Sequence, residues 1–76
     1  MIYAAYRTDY TEVEYGWGER PDGWCLFATK ELADADYSKF PMHSEHYTVL
    51  ASKPYLTEVD EDTYWKLQTA RRITTP

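Results

Sequence analysis

The chain has 76 residues, a formal net charge of −5 and a pI near 4.8, and this length allows a single domain over residues 1 to 76. So short a chain buries only about 60% of the surface that it exposes when unfolded, so its core must be dense. Aromatic residues make up 17% of the chain and can supply that density. The acidic balance argues against direct binding to a nucleic-acid backbone, because phosphates are neutralised by Lys and Arg.

Cysteine usage and hydropathy exclude further classes of protein. The single cysteine, Cys25, cannot form an internal disulfide framework or a four-cysteine zinc site. No apolar run approaches the roughly 18 residues that cross a membrane, and residues 1 to 7 lack the pattern of a signal peptide. We therefore expect a cytoplasmic protein that has no membrane partner.

The first third of the chain predicts three strands. Residues 2 to 8 alternate with two largely apolar faces, which is typical of a central strand. Residues 11 to 17 alternate more cleanly and predict a half-exposed strand whose acids face water. Residues 18 to 23 contain Pro-Asp-Gly and predict a turn. The apolar run over residues 23 to 28 predicts a buried third strand.

A helix is predicted next. The Thr29 hydroxyl can cap its first turn, and the helix is expected to run to about Phe40, since Pro41 restricts the residue before it. Its apolar stripe should face the sheet. Asp34 and Asp36 are expected to point to solvent.

The second half of the chain predicts one or two strands and a second helix. Residues 46 to 52 alternate, Pro54 marks a bulge or an edge, and residues 55 to 59 continue that strand or start another. Asp60 can cap a helix that runs to about Arg71, with acids at its start and bases at its end. Residues 73 to 76 are predicted to be a frayed tail.

These elements predict the α+β class, with the order β-β-β-α-β-(β)-α. Two amphipathic helices most simply cover one face of an antiparallel sheet. We therefore expect a sheet of three to five strands with both helices packed on the same face.

No residue pattern predicts catalysis or metal binding. His43 and His46 have H-x-x-H spacing, but they lie where a loop meets a strand, and the sequence offers no second pair of ligands. Cys25 lies in the most apolar run of the chain, where a thiol behaves as a small buried hydrophobe. We predict no enzyme activity, no cofactor and no metal; a zinc-binding histidine pair is the open alternative.

The acids are unevenly distributed. Residues 9 to 36 contain eight acids and two bases, a net charge of −6, whereas the remainder has a net charge of +1. Tyr and Trp interleaved with carboxylates on an exposed strand provide contact area, and the acids attract a basic partner. The alternative is that the aromatic residues are core and the acids keep the protein soluble. The predicted partner-binding residues are Glu12, Glu14, Tyr15, Trp17, Glu19, Asp22, Asp34 and Asp36.

In size, acidity and lack of catalytic motifs, the chain resembles the small proteins encoded by phages and other mobile elements, including anti-CRISPR proteins. The residues that carry this resemblance are Glu12, Glu14, Glu19, Asp22, Asp34 and Asp36. The resemblance implies a non-enzymatic inhibitor, with carboxylates in place of phosphates. Such an inhibitor would occupy the basic nucleic-acid-binding surface of a host defence or nucleic-acid-processing complex in the host cytoplasm.

A second function fits the same sequence. The chain could be a structural or assembly module that forms a homodimer through an exposed edge strand, with the acids serving solubility and no inhibitory role. The sequence leaves the choice between monomer and homodimer open.

Overall fold

The computed structural model describes residues 2 to 75, which form six strands and two helices. Their bounds are β1 Tyr3–Glu14, β2 Gly18–Phe27, α1 Lys30–Tyr37, β3 Met42–His43, β4 Tyr47–Ala51, β5 Tyr55–Val59, α2 Glu61–Ala70 and β6 Arg72–Thr74. Every strand pairing is antiparallel, which confirms the predicted α+β class. The described sheet has six strands rather than three to five, because the short strands β3 and β6 were not predicted.

A single long strand, β1, takes the place of the first two predicted strands. The chain reverses over residues 15 to 17, and the predicted turn over residues 18 to 23 lies inside β2. The Pro-Asp-Gly signal is used there for a β-bulge: Asp9 pairs with Trp24 but Thr11 pairs with Pro21, so β2 carries one extra residue. Gly23 provides the positive φ of +91° at this bulge.

Strands β4 and β5 form one interrupted strand along the other edge of β1. Tyr10 pairs with Ala51 in β4, and Arg7 pairs with Tyr55 in β5, so the register shifts by one residue between them. The shift falls at the segment that contains Pro54, where the sequence predicted either a bulge or an edge, and the pairing with β1 is interrupted there. The resulting order across the sheet is β3, β4, β1, β2, β6, with β5 also beside β1.

The two helices lie on opposite faces of the sheet. Successive strand residues point to opposite faces. Leu26 of β2 packs in one core cluster with Leu67 of α2, whereas its neighbour Phe27 packs in the other with Ala33 of α1. The prediction of both helices on one face is therefore wrong. The physical reason lies in β2, where consecutive apolar residues require cover on both sides.

Both helices begin where predicted. Leu32 donates its backbone N–H to the Thr29 hydroxyl (3.2 Å), and Thr63 donates to the Asp60 carboxylate (2.9 Å). The first helix ends at Tyr37, three residues earlier than expected.

The predicted frayed tail over residues 73 to 76 begins instead with strand residues, Ile73 and Thr74. β6 pairs with β2, and Ile73 lies opposite Leu26 and packs against the same core cluster as Leu67. This pairing joins residues that are far apart in sequence, so local composition did not indicate it. Pro76 and Met1 lie outside the described residues.

The sheet extends beyond its helices. The described chain measures 46 × 19 × 18 Å and has a radius of gyration of 13.6 Å, against about 11 Å for a compact chain of this length. Both core clusters take their β1 and β2 residues from 5 to 10 and from 24 to 27. We call residues 11–21 together with 42–51 the distal end. Among the described residues, none of this end belongs to either core cluster, so neither helix covers it through a cluster contact.

Neither helix in the described part of the chain has the length and hydropathy needed to span a membrane.

Candidate protein-binding surface

Exposed apolar side chains are concentrated at the distal end. Nine large hydrophobic side chains are exposed in the described chain, and five of them belong to this end. They are Tyr15, Trp17, Met42, Tyr47 and Leu50. Exposed apolar residues scattered singly are normal, but a concentration of them marks an interaction surface. The distal end is therefore the best candidate for a partner-binding site.

The tight turn between β1 and β2 presents the Trp17 ring to solvent. Gly16 and Gly18 both have positive φ values, of 85° and 92°, which residues with a Cβ rarely adopt. Trp17 donates its backbone N–H to the Glu14 carbonyl at 2.9 Å, which closes the turn. The Trp17 side chain is 85% exposed. The turn fixes the backbone of Trp17, and its large ring rotates about only two side-chain bonds, so little conformational freedom is lost when it binds a partner.

The neighbouring Tyr15 is held by a hydrogen-bond network across the sheet. Its hydroxyl lies 2.8 Å from the Thr48 hydroxyl, which also lies 3.1 Å from His43 Nδ1. Its backbone N–H donates to the His46 carbonyl at 3.1 Å. Thr48 is buried, whereas the Tyr15 residue remains 55% exposed. The network therefore fixes the orientation of an aromatic side chain that still faces solvent.

The predicted histidine pair is divided between two environments. His43 contacts Thr48, and His46 Nε2 lies 4.0 Å from the carboxylate of its neighbour Glu45. Within residues 2 to 75, no group of three or more His, Cys, Asp or Glu side chains is placed to share a metal ion.

Glu12 and Glu14 lie on the face of the sheet that α1 covers further along. Arg20 pairs directly with Glu12 across the hairpin and donates to its carboxylate at 3.0 Å. That hydrogen bond, with the charges of Glu12 and Glu14, raises the pKa of the Arg20 guanidinium. Only 16% of the Glu12 side chain is exposed, and the adjacent Arg20 guanidinium offsets the charge of its carboxylate.

The remaining acids are spread over both faces and over α1. Glu19 pairs with Val13 and lies on the opposite face from Glu12, while Asp22 is exposed at the bulge. Asp34 accepts a hydrogen bond from Lys30 at 2.8 Å on α1. The eight predicted residues do not form one face.

Asp36 does not point to solvent as predicted. It is half-buried and accepts a hydrogen bond from the Tyr10 hydroxyl at 2.6 Å. Burial and then this carboxylate raise the pKa of the Tyr10 phenol far above its ordinary value. Asp36 therefore helps to fix α1 on the sheet, and its carboxylate is already engaged within the domain.

The structure thus brings together only part of the predicted set. The members at the distal end are Glu12, Glu14, Tyr15, Trp17 and Glu19. Sequence reasoning missed Met42, Tyr47 and Leu50, whose exposure follows from the lack of helix cover and leaves no local signal. The distal end as a whole carries four acids and one arginine, a net charge of −3 with neutral histidines.

Cys25 is buried with 1% of its surface exposed, as predicted. Burial raises the pKa of its thiol, against a smaller opposing effect of the Arg72 charge. The thiolate, which is the reactive form, is therefore disfavoured at this position.

No protein-family model matches the chain, and neither a curated protein nor a solved structure shows significant similarity to it. The function is therefore inferred from the fold and the surface.

Proposed function

We propose that the protein is a non-enzymatic binding protein that docks its distal end on a basic surface of another protein. The observation that carries this proposal is that five of the nine exposed large hydrophobic side chains of the described residues, Trp17 among them, belong to one negatively charged sheet end that extends beyond both helices. Such residues supply most of the binding energy at protein interfaces, where Trp and Tyr are enriched.

The distal end offers a partner two faces and a turn. Tyr47 lies opposite Glu14 on the α1 side of the sheet, whereas Tyr15 contacts Thr48 on the other side. A partner that contacts one face and the Trp17 turn covers fewer than the roughly 20 to 30 residues of a standard interface. The strands of the distal end are hydrogen-bonded to one another, β2 and β4 to β1 and β3 to β4, so the surface is largely formed before binding.

The charge of the distal end favours a basic partner. Glu14, Glu19 and Glu45 have no arginine or lysine within ion-pair distance among the described residues. Acids at the edge of an interface accelerate encounter with a positive surface and make it salt-sensitive. We further propose that the protein inhibits a host defence or nucleic-acid-processing complex in the host cytoplasm. Carboxylates of the distal end would then occupy positions that phosphates take.

A capture experiment with matched variants tests the proposal. Immobilised protein is exposed to host lysate at low and high salt, and each protein that elutes is purified and assayed for nucleic-acid binding with and without this chain. Trp17→Ala should lose the partner. Glu19→Lys should slow association, whereas Glu58→Lys, the same reversal on an exposed strand residue at the other end of the sheet, should not. Binding that neither distal variant alters would overturn the proposal.

A specific observation favours homodimer formation as the second candidate function. In residues 2 to 75, β5 pairs with β1 alone, so its outer edge is free, and its Leu56 side chain is 63% exposed. A free edge strand is a template for pairing with a second chain. Sedimentation at several concentrations separates the two candidates: a dimer that Leu56→Lys dissociates supports assembly, and a monomer at all concentrations excludes it.

A further inference from the structure

A groove lies between α1 and β6, at the end of the sheet away from Trp17. It has a volume of about 270 Å³ and is lined by Phe27, Leu32, Ala35, Asp36, Lys39 and Arg72. The first three supply an apolar floor and wall, and the last three place charges around it. This groove has no part in the function proposed above.

Two cationic side chains of the groove are free of ion pairs within the described residues. Within residues 2 to 75, neither Lys39 nor Arg72 forms an ion pair with an acidic side chain, although the protein carries a net negative charge. Arg72 pairs with Phe27 in the sheet and therefore points to the α1 side. Its charge acts on the Cys25 thiol beneath α1, which is consistent with that orientation. Cations beside an apolar wall are a typical arrangement for an anionic ligand with an apolar body.

The charge balance of the groove selects a monoanion. Lys39 and Arg72 contribute two positive charges, and Asp36, which is engaged with Tyr10, contributes one negative charge. The resulting charge of +1 matches a carboxylate better than a phosphate monoester, whose charge is close to −2. We infer that this groove binds a small carboxylate with an aromatic or branched apolar body. Its volume lies just below the roughly 300 to 1,000 Å³ of typical ligand pockets, so the ligand is smaller than a drug-sized molecule.

An NMR titration of the full chain with 3-phenylpropionate tests this inference. We expect saturable shifts of the backbone amide signals of Leu32, Ala35 and Arg72. Arg72→Gln should raise the dissociation constant roughly tenfold or more, because a charge-assisted hydrogen bond is lost. Ala35→Leu should abolish binding by filling the groove, and the variant should still fold because Leu is among the best helix formers and Ala35 is exposed.

Three controls keep the result specific. Lys53→Gln removes a lysine that lies outside the groove and forms no ion pair within residues 2 to 75, and it should leave the dissociation constant unchanged. The neutral amide of the probe and inorganic phosphate should each bind at least tenfold more weakly. The inference would be overturned if the amide or phosphate bound as tightly as 3-phenylpropionate, or if the signal shifts were confined to residues outside the groove. It would also be overturned if folded Arg72→Gln or Ala35→Leu bound 3-phenylpropionate with an unchanged dissociation constant.

Discussion

The Thr75 hydroxyl is hydrogen-bonded to both backbone polar groups of Trp24. It accepts from the Trp24 N–H at 2.6 Å and donates to the Trp24 carbonyl at 2.9 Å, and the Thr75 N–H donates to the same carbonyl at 3.0 Å. These bonds hold the segment after β6 against the β2 bulge. A Cβ atom at the adjacent Gly23 would lie 2.9 Å from this hydroxyl, so a side chain there would displace Thr75 from its hydrogen bonds to Trp24.

We predict that Gly23→Ala destabilises the protein more than Gly16→Ala. Both glycines have positive φ, which costs an L-residue about 1 to 2 kcal/mol. Only Gly23 also meets a neighbour, since among the described residues nothing lies within 4 Å of a Cβ built at Gly16. Urea denaturation of both variants and of Thr75→Ala gives the comparison. Gly23→Ala should lower the free energy of unfolding by less when it is made in the Thr75→Ala background. An equal loss of unfolding free energy in Gly23→Ala and Gly16→Ala would contradict the contact between Gly23 and Thr75.

Thr8→Val should stabilise the protein. Thr8 lies opposite Cys25 in the sheet and is fully buried, and its hydroxyl has no hydrogen-bond partner in residues 2 to 75. A buried unpaired hydroxyl costs about 1 kcal/mol or more, and Val has nearly the same shape. The urea midpoint should therefore rise. Thr48→Val is the matched control and should lower it, because the Thr48 hydroxyl bonds to Tyr15 and His43.

The bond between Tyr10 and Asp36 predicts how stability changes at alkaline pH. The pKa of the Tyr10 phenol is raised in the folded protein. Its contribution to the free energy of unfolding is therefore complete below the ordinary tyrosine pKa of about 10, and it is lost as the pH rises above that value. Tyr10→Phe should lower the free energy of unfolding at neutral pH by about 1 kcal/mol and flatten the alkaline decline. Urea denaturation between about pH 8 and pH 11 measures both effects. If the free energy of unfolding of Tyr10→Phe declined with pH in the same way as that of the parent protein, the role given to Tyr10 would be contradicted.

Locally determined features were predicted from the sequence, and long-range ones were not. The caps at Thr29 and Asp60 and the interrupted pairing at Pro54 depend on neighbouring residues, and all three are present. The β6 pairing depends on contacts between residues about 47 positions apart along the chain, and the Pro-Asp-Gly signal fits a turn and a bulge equally well. The helix faces were wrong because an apolar stripe does not specify which side of a sheet it covers.

The same limit applied to the candidate surface. Tyr15 and Trp17 were predicted to bind a partner because they are interleaved with acids, with burial in the core as the alternative, and both are exposed. The engagement of Asp36 by Tyr10 and of Glu12 by Arg20 depends on strand register and on the docking of α1, which one sequence does not reveal.

Trp17→Ala should separate binding from folding. Because the side chain is 85% exposed, its removal should change the free energy of unfolding by less than about 0.5 kcal/mol. It should raise the dissociation constant for the captured partner roughly thirtyfold or more, as expected of a hot-spot residue worth about 2 kcal/mol. An unchanged constant, or a loss explained by unfolding, would count against the role given to Trp17.

The most direct test of the distal end as the binding surface is an NMR footprint with that partner. Backbone amide signals of the labelled chain are followed as the unlabelled partner is added at low salt. The account predicts attenuation concentrated in residues 11–21 and 42–51, with Trp17 and Glu19 among the first affected. Attenuation concentrated on β5 and α2, with the distal end unaffected, would contradict it.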